Sequence, residues 1–513
     1  MNMMKASKFG LCLLSALAIS SFAQDNWNGK NLNVSFRDKR IDGFDFRDSK
    51  AVKNVTDFQR AAGEGPRFDG ADLHEVSFQN AVISGANFKN ANLVKATISG
   101  ADIRSSSFKG ADMEGANLYR ATLLDSEFPS TNLKNARLDA MKVSDNADFS
   151  KSDLTQASVM DVDLTGADFS KANLTNANFS RSLMANSNLK KATLVKTDFT
   201  ACNLIAANFK GTDLINVNFA KAGLSQAEFG GAEFQNVNLQ EADLSLTTFN
   251  DVDLSKTQLQ KAKFAQSLVK NMDFKGQDLT GVIFDKGTVS KNEFERAKLN
   301  KTSYFDAAVE KNVFKEAELM KAVFDGAYVF KDIFDKADLT KANFANSTIE
   351  RSDFNLAQLS GATFAGAKII KVSFLNANMQ GIKIDADTKM DDVDFSGADL
   401  SNAKIEKFTA KKVIYDNKTK FPSGFDPRQY GFTKRGEKAA DIKVVELIDV
   451  RVGEFYCLQQ LIADRSKSLV DFCFGNGKTL KCHMVELQFI LLYRHISTCL
   501  YVVQHLADRI VEL

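Results

Sequence analysis

A chain of 513 residues would ordinarily suggest several globular domains, unless an internal repeat organises it. With 25% charged residues and a formal net charge of +2, it fits neither a strongly basic nucleic-acid binder nor a polyanionic decoy. The unusual figure is 42 Phe against one Trp and four Pro, which asks where so many aromatic rings are placed.

Residues 1–23 read as an export signal. Lys5 and Lys8 precede an apolar run from Leu11 to Ile19, and Ser21-Phe22-Ala23 forms a small-x-small cleavage site. The mature chain is expected to begin at Gln24, exported to the periplasm or outside the cell. The run is too short to span a bilayer comfortably, so no transmembrane segment is expected after cleavage. Cys12 lies inside the run and does not look like a lipidation site. Cys202 is the one thiol of the next four hundred residues, so the body is not a disulfide scaffold.

Residues 24–66 contain degenerate five-residue units at Val34, Phe36, Ile41, Phe44 and Phe46, and then an irregular stretch, Lys50 to Pro66, expected to cap the regular repeats. From Phe68 to Val143 an apolar residue recurs at every fifth position without a break, and from Phe149 to Ile384 it does so again. One extra residue enters near Ser144-Asp145-Asn146, and another between Ile384 and Phe395. Neither a helix, with period 3.6, nor a strand, with period 2, buries every fifth residue on one face.

Residues twenty apart resemble one another. One column runs Phe68, Phe88, Phe108, Phe128, Phe149, Phe169, breaks at Leu189, and later becomes Val269 through Ile369. Another is unbroken from Phe274 through Phe354 and Phe374 to Phe395. Four pentads to a coil explain both periods. Each side of the coil then sends inward one large apolar residue and, two positions earlier, a small one such as Thr197, Cys202, Ala207 or Ala222. The second slot is small because four sides converge on a narrow, close-packed axis. Asn or Asp stands between the two and points outward, as in Asp168, Asn173, Asn178 and Asn208. Gly often ends a pentad, as at Gly70, Gly100 and Gly166, where a tight corner needs unusual dihedrals.

The units Ala167-Asp168-Phe169-Ser170-Lys171, Ala172-Asn173-Leu174-Thr175-Asn176 and Ala242-Asp243-Leu244-Ser245-Leu246 resemble the A(D/N)LxX motif of the pentapeptide-repeat family. The resemblance covers roughly residues 67–408 and implies an all-β fold, a right-handed quadrilateral β-helix. At about 4.8 Å per coil, 17 coils would make a rod about 80 Å long. It is nearly silent on function. Residues 409–433 include Tyr415 to Pro427, "YDNKTKFPSGFDP", which resembles the segment closing many such domains and is expected to form the C-terminal cap.

Residues 434–513 change character, with the Phe ladder gone and Cys457, Cys473, Cys482 and Cys499 present. This non-repeat tail is expected to be a short helical or poorly ordered appendage, with one or two amphipathic helices between Met484 and Leu513. Cys482, His483, His495 and Cys499 have zinc-type chemistry, but no CxxC pair accompanies them, and no metal site is assigned. A frame-shifted extension is the competing account of the tail.

No GxSxG, HExxH, P-loop or GxGxxG in the right context occurs. His74 reads as a solvated surface residue, and the adjacent Asp391 and Asp392 as a solvated face. No catalytic residue, cofactor or metal is expected. Summed over residues 147–386, the four faces carry about +6 (Phe149 face), −5 (Leu154 face), +1 (Val159 face) and −3 (Leu164 face). Such sums are ordinary for solubility.

Outward slots that should be polar are apolar at Val313, Ile333, Leu356 and Leu375 on the Leu154 face, and at Tyr328, Phe330 and Ile370 on the Phe149 face. A clustered apolar surface predicts an interaction site for a protein partner, the tail or a second copy. The sequence thus predicts a non-enzymatic, exported scaffold without a nucleic-acid partner. An exported inhibitor or effector with a specific target is the second reading, and an enzyme housed in the tail the third. DNA mimicry toward gyrase, associated with fluoroquinolone-resistance members of the family, would require a strongly acidic cytoplasmic rod, contrary to the charge and the export signal.

Overall fold

A computed structural model describes residues 26–249 and 252–436 and, beyond them, three strands, Tyr456–Cys457, Leu469–Gly475 and Leu480–Glu486. The chain forms two units, Met1–Arg435 and Gly436–Leu513.

The first unit is a quadrilateral β-helix, and one pentad shows how the backbone makes it. In Ala167–Lys171 the amide of Asp168 donates to Ala147 O in the coil before, at 3.0 Å, and that of Phe169 to Asn188 O in the coil after, at 2.8 Å. Lys171 also bonds forward, to Lys190 O at 3.1 Å, while Ala172 turns back to Phe169 O at 3.0 Å. The last of these closes a β-turn whose third residue, Lys171, has φ 60°, as a type II turn requires. Only the Ser170 amide remains, and Asp168 Oδ1 accepts it at 2.8 Å. Every amide of the side is therefore partnered. The Asn and Asp residues that the sequence places outward are half-buried and cap their own turns, as Asn173 does for Thr175 at 3.1 Å.

Gly fits the corner positions, but Lys, Asn and Arg fill many of them at positive φ. Gly70 has a further reason: a Cβ there would lie 2.4 Å from Asp48 Oδ1 in the previous coil.

Inside, aromatic residues twenty apart stack with their rings nearly parallel. Phe149 lies 5.1 Å from Phe169, and Phe294, Phe314, Phe334 and Phe354 succeed one another at 4.8, 4.7 and 4.6 Å between centroids. Across the axis the rings meet edge to face, as Phe324 and Phe334 do at 5.9 Å and 88°. Both arrangements suit the quadrupole of the ring. Each extra residue is absorbed in a loop that leaves the stack intact: Phe128 stacks on Phe149 and Phe374 on Phe395, each 21 positions on.

The stack begins before Arg67. Lys50 to Pro66, expected as an irregular cap, contributes Phe58, which stacks on Phe36 and Phe78 at 4.8 Å each, and a strand, Ala62–Glu64, paired in parallel with Val82–Ser84. The first coils advance 22 residues, Phe36 to Phe58 and Phe46 to Phe68, so a strict five-residue count misses them. At the other end Phe395, Phe408, Phe421, Phe425, Tyr430 and Phe432 close the core with an aromatic cluster, around a short 3-10 helix at Pro427–Tyr430.

In the second unit the described strands form an antiparallel sheet, with Tyr456 opposite Cys473 and Leu469 opposite Glu486. Met484–Glu486, the start of the segment expected to be helical, is strand instead, in register with Leu469–Asp471. Residues 487–513, with His495 and Cys499, lie outside the described residues. Among the described residues no group of side chains could hold a metal ion, and no helix is long and apolar enough to cross a membrane.

Candidate interaction corner

On the Phe149 face of the rear coils, as on the Leu164 face of the front ones, turns give way to strand, and the side chains explain why. Most sides end in a type II turn, but on the Phe149 face the segments from Leu268–Lys270 to Lys368–Ser373 form a continuous parallel sheet. Their inward residues are Val269, Val289, Val309, Val329, Ile349 and Ile369. β-Branched side chains favour extended backbone and resist the turn.

Loss of the turn removes a partner from the next small-slot amide, and side chains on the Leu154 face supply it. The Asn292 amide donates to Asn312 Oδ1 at 2.9 Å, and that of Asn312 to Asp332 Oδ1 at 2.7 Å. The Asp332 amide donates to Ser352 Oγ at 3.1 Å. Two asparagines also serve the strand carbonyls: Asn292 Nδ2 donates to Val269 O at 3.1 Å and Asn312 Nδ2 to Val289 O at 2.9 Å. The result is a polar column sealed inside the rod, with Asn292, Asn312, Asp332 and Ser352 all at 0% exposure. A small slot filled by Asn or Asp in place of Ala, Ser or Thr was the sequence's only mark of this column.

Asp332 sets an acid within this ladder, between Asn312 and Ser352. Burial pushes its carboxyl up from 3.8 to about 7, against the downward pull of hydrogen bonds from Asn312 and the Phe330 amide. When ionised it has no donor to offer a strand carbonyl, unlike the two asparagines beneath it.

The seven apolar residues singled out in the sequence divide into two groups over this region. Val313, Ile333, Tyr328, Phe330 and Ile370 flank the corner between the Phe149 and Leu154 faces. Leu356 occupies the corner position at the far edge of the Leu154 face, where its amide bonds Leu375 O at 2.8 Å. Leu356, Tyr328 and Ile333 are exposed, at 47, 37 and 36%, while Val313, Phe330, Ile370 and Leu375 are half-buried. The Tyr328 and Phe330 rings lie side by side, 5.7 Å apart and 12° from parallel.

Between the apolar flanks runs a column of cations that apolar patterning and face charge do not isolate. Lys291, Lys311, Lys331, Arg351 and Lys371 occupy the corner position of five successive coils, all exposed and all at φ 53–59°. Lys311 Nζ and Lys331 Nζ stand 6.0 and 5.1 Å from the Phe330 ring centroid. Arg351 pairs with Glu350 at 3.2 Å; among the described residues no ion pair forms at the four lysines. Aligning the chain at intervals of twenty exposes this column; summing charge by face blurs it.

Of the remaining candidate polar residues, Asp392 is exposed as expected, but Asp391 is half-buried with its Oδ1 sealed from solvent and without a hydrogen-bond partner; His74 and Cys202 have ordinary settings. His74 Nδ1 lies 3.0 Å from Asp72 Oδ1 at the surface. Cys202 is buried, its thiol 3.0 Å from Ser182 O and its pKa raised by burial, the opposite of an activated nucleophile.

Comparison with known proteins agrees with this geometry. The profile described as "Pentapeptide repeat region" matches residues 101–179, 152–229 and 182–259, and that described as "Pentapeptide repeats (8 copies)" matches residues 71–110. Together these matches span residues 71–259, within the run of five-residue units. Among solved structures it is similar to HetL, a pentapeptide repeat protein involved in heterocyst differentiation regulation in Nostoc sp. strain PCC 7120, at 18% identity, covering 50% of this chain and 98% of that one with a TM-score of 0.24. It is similar also to QnrB1, a plasmid-mediated fluoroquinolone resistance protein, at 14% identity, 40 and 90% coverage and a TM-score of 0.26. Rfr23 from the cyanobacterium Cyanothece 51142 matches at 23% identity, 29 and 90% coverage and a TM-score of 0.14. No curated protein sequence matches the chain.

Proposed function

We propose that this protein is a non-enzymatic, exported scaffold whose rod presents the corner between the Phe149 and Leu154 faces, near residues 311–371, as its binding surface. The observation that carries this reading is the departure at that corner: exposed Tyr328 and Ile333 stand beside Lys311 and Lys331, which form no ion pair among the described residues, on a rod whose outward slots are otherwise mostly polar. The interior supports a structural role for the rest. Its aromatic rings are occupied by stacking, and, apart from the buried Asp332, the candidate carboxylates among the described residues lie along the faces without a deep cleft to turn them to chemistry.

Export rests on the pattern at residues 1–23. It is tested by N-terminal sequencing of the protein from fractionated cells, where a chain beginning at Gln24 outside the cytoplasm is expected and an intact Met1 in the cytoplasm would overturn it. An inhibitor or effector with one specific target is the second reading, favoured by the same surface. Depleting the protein separates the two: loss of envelope integrity supports the scaffold, and a changed activity of one target supports the effector. Gyrase binding by DNA mimicry is disfavoured by the net charge of +2 and by the cation column itself.

A further inference from the structure

The Leu164 face, across the rod from the Leu154 face, carries a surface that the corner does not use. Its outward residues form two columns, Asp102 to Lys404 before the inward residue and Arg104 to Glu406 after it. Leu183, Ile205, Leu246 and Phe305 lie on this face or at its edge, at 46, 41, 48 and 38% exposure. From Gly166 to Gly366 the corner that follows bears one cation, Lys286, and one anion, Asp306, where the next corner bears a row of lysines. Few long charged side chains therefore hold a flat neighbour away from that edge.

We propose that this face pairs with the same face of a second copy, the two rods antiparallel about a two-fold axis that lies along the strands, between the coils of Leu244 and Phe264. Such an axis sets each outward residue opposite the one equally far on its other side. Asp243 then meets the partner's Lys263, and Asp102 and Arg104 meet the partner's Lys404 and Glu406. Ile205 meets the partner's Phe305, Leu183 the partner's Val323, and Ile283 the partner's Gly223, which leaves room for it. Across the overlap no like charges oppose in either column. Among the described residues, Asp243, Lys263, Lys404 and Glu406 form no ion pair within the chain. Asp285 and Asp325 are capped within their own rod, by the Phe305 amide at 3.1 Å and Asn346 Nδ2 at 3.0 Å, and face the partner's Ser225 and Ala185. One like pair falls at the rim, Arg181 beside the partner's Lys321, where Asp161 holds Arg181 at 2.7 Å. A parallel pair would set Ile205 against Asn203 and Ile283 against Asp285, losing the apolar matches. The overlap of about sixteen coils, about 77 Å long and about 10 Å wide, covers about 800 Å² on each copy, the size of a stable interface. Strands run the same way in both copies, so both Phe149 faces, and the corners beyond them, lie on one side of the pair.

The test is sedimentation of the full chain from about 1 to about 100 μM, where a dimer is expected. Ile205→Lys with Phe305→Lys should raise the dimer Kd at least about a hundredfold, with circular dichroism unchanged. Asp243→Lys should raise it at least about tenfold, and adding Lys263→Asp should restore it. Lys196→Glu, at the corner between the Leu154 and Val159 faces, should leave it unchanged. Register is read with a chain carrying Asn203→Cys and Ser303→Cys and a thiol cross-linker about 10 Å long, the spacing of packed sheets. Within one copy these positions are five coils apart, about 24 Å, so a link between them, identified by peptide mapping, joins two copies. A monomer throughout the range would leave the face to the C-terminal unit or to another protein, and would overturn the proposal. So would a dimer that survives both lysine substitutions, a charge reversal that the second reversal fails to rescue, or a dimer without the 203–303 link.

Discussion

The front coils of the rod, from Phe68 to Phe169, and the rear coils, from Val269 to Ile369, use one five-residue frame and reach different ends. In front, the Phe149 face stacks aromatic rings, and its turns satisfy their own amides. At the rear the same face holds Val and Ile, the turn gives way to strand, and buried Asn292, Asn312 and Asp332 take up the amides the turn would have served. The apolar flanks and the longest run of corner cations belong to the rear as well. A repeat that specifies form leaves room for function where it departs from itself without breaking its stack.

That contrast can be broken most strongly in the core. Phe334→Ala removes a ring stacked at 4.7 and 4.6 Å on its neighbours and should destabilise the rod by about 3–5 kcal/mol, read by urea or thermal unfolding. A loss below about 1 kcal/mol would show that the columns are not the main source of stability. Asn312→Ala should cost about 2–3 kcal/mol, because the Asn292 amide and Val289 O lose partners. An alanine at Ala172, the equivalent slot of the front coils, is native, because there the turn supplies the bond.

Asp332 sharpens the comparison through pH. Its folded pKa, about 7, lies above the ordinary value of 3.8, so the folded state holds a proton that the unfolded state releases. This group's contribution is fully present below about pH 4 and is lost as pH rises toward 7. Asp332→Asn should therefore gain stability relative to the native chain as pH rises from 4 to 7, and no further above it. A stability difference that is flat across that window would mean that the carboxyl titrates normally. The smallest effect is expected at Cys202, which should resist thiol reagents in the folded protein and react only on unfolding; rapid native labelling would contradict its burial.

The coil, the stacking partners and the positions of the two insertions were legible in the sequence, because each comes from counting apolar residues at intervals of five and twenty. Phe209 stacks on Phe229 at 5.1 Å, and Leu194 is in register with Leu214, as the columns require. The first coils were legible only in part: Phe36, Ile41 and Phe46 showed as degenerate units, but 22-residue turns lose the frame, so Phe58 was not placed in the stack. The buried amide column was hidden for another reason. Whether a pentad ends in a turn or a strand depends on backbone dihedrals, and only that choice explains why Asn312 stands where Ala is usual. The interaction corner was half visible: its apolar residues broke the polar rule, but charge summed by face concealed which lysines stand in line.

The central claim is that the rear corner, and not the regular core, makes the protein's functional contacts. The direct measurement is affinity capture from the exported fraction with the native chain and with a variant carrying Phe330→Lys and Ile333→Lys, their circular dichroism compared beforehand. Identical spectra, with a bound species retained by the native chain and absent from the variant, are the predicted result. The same bound species recovered equally by both chains would contradict it.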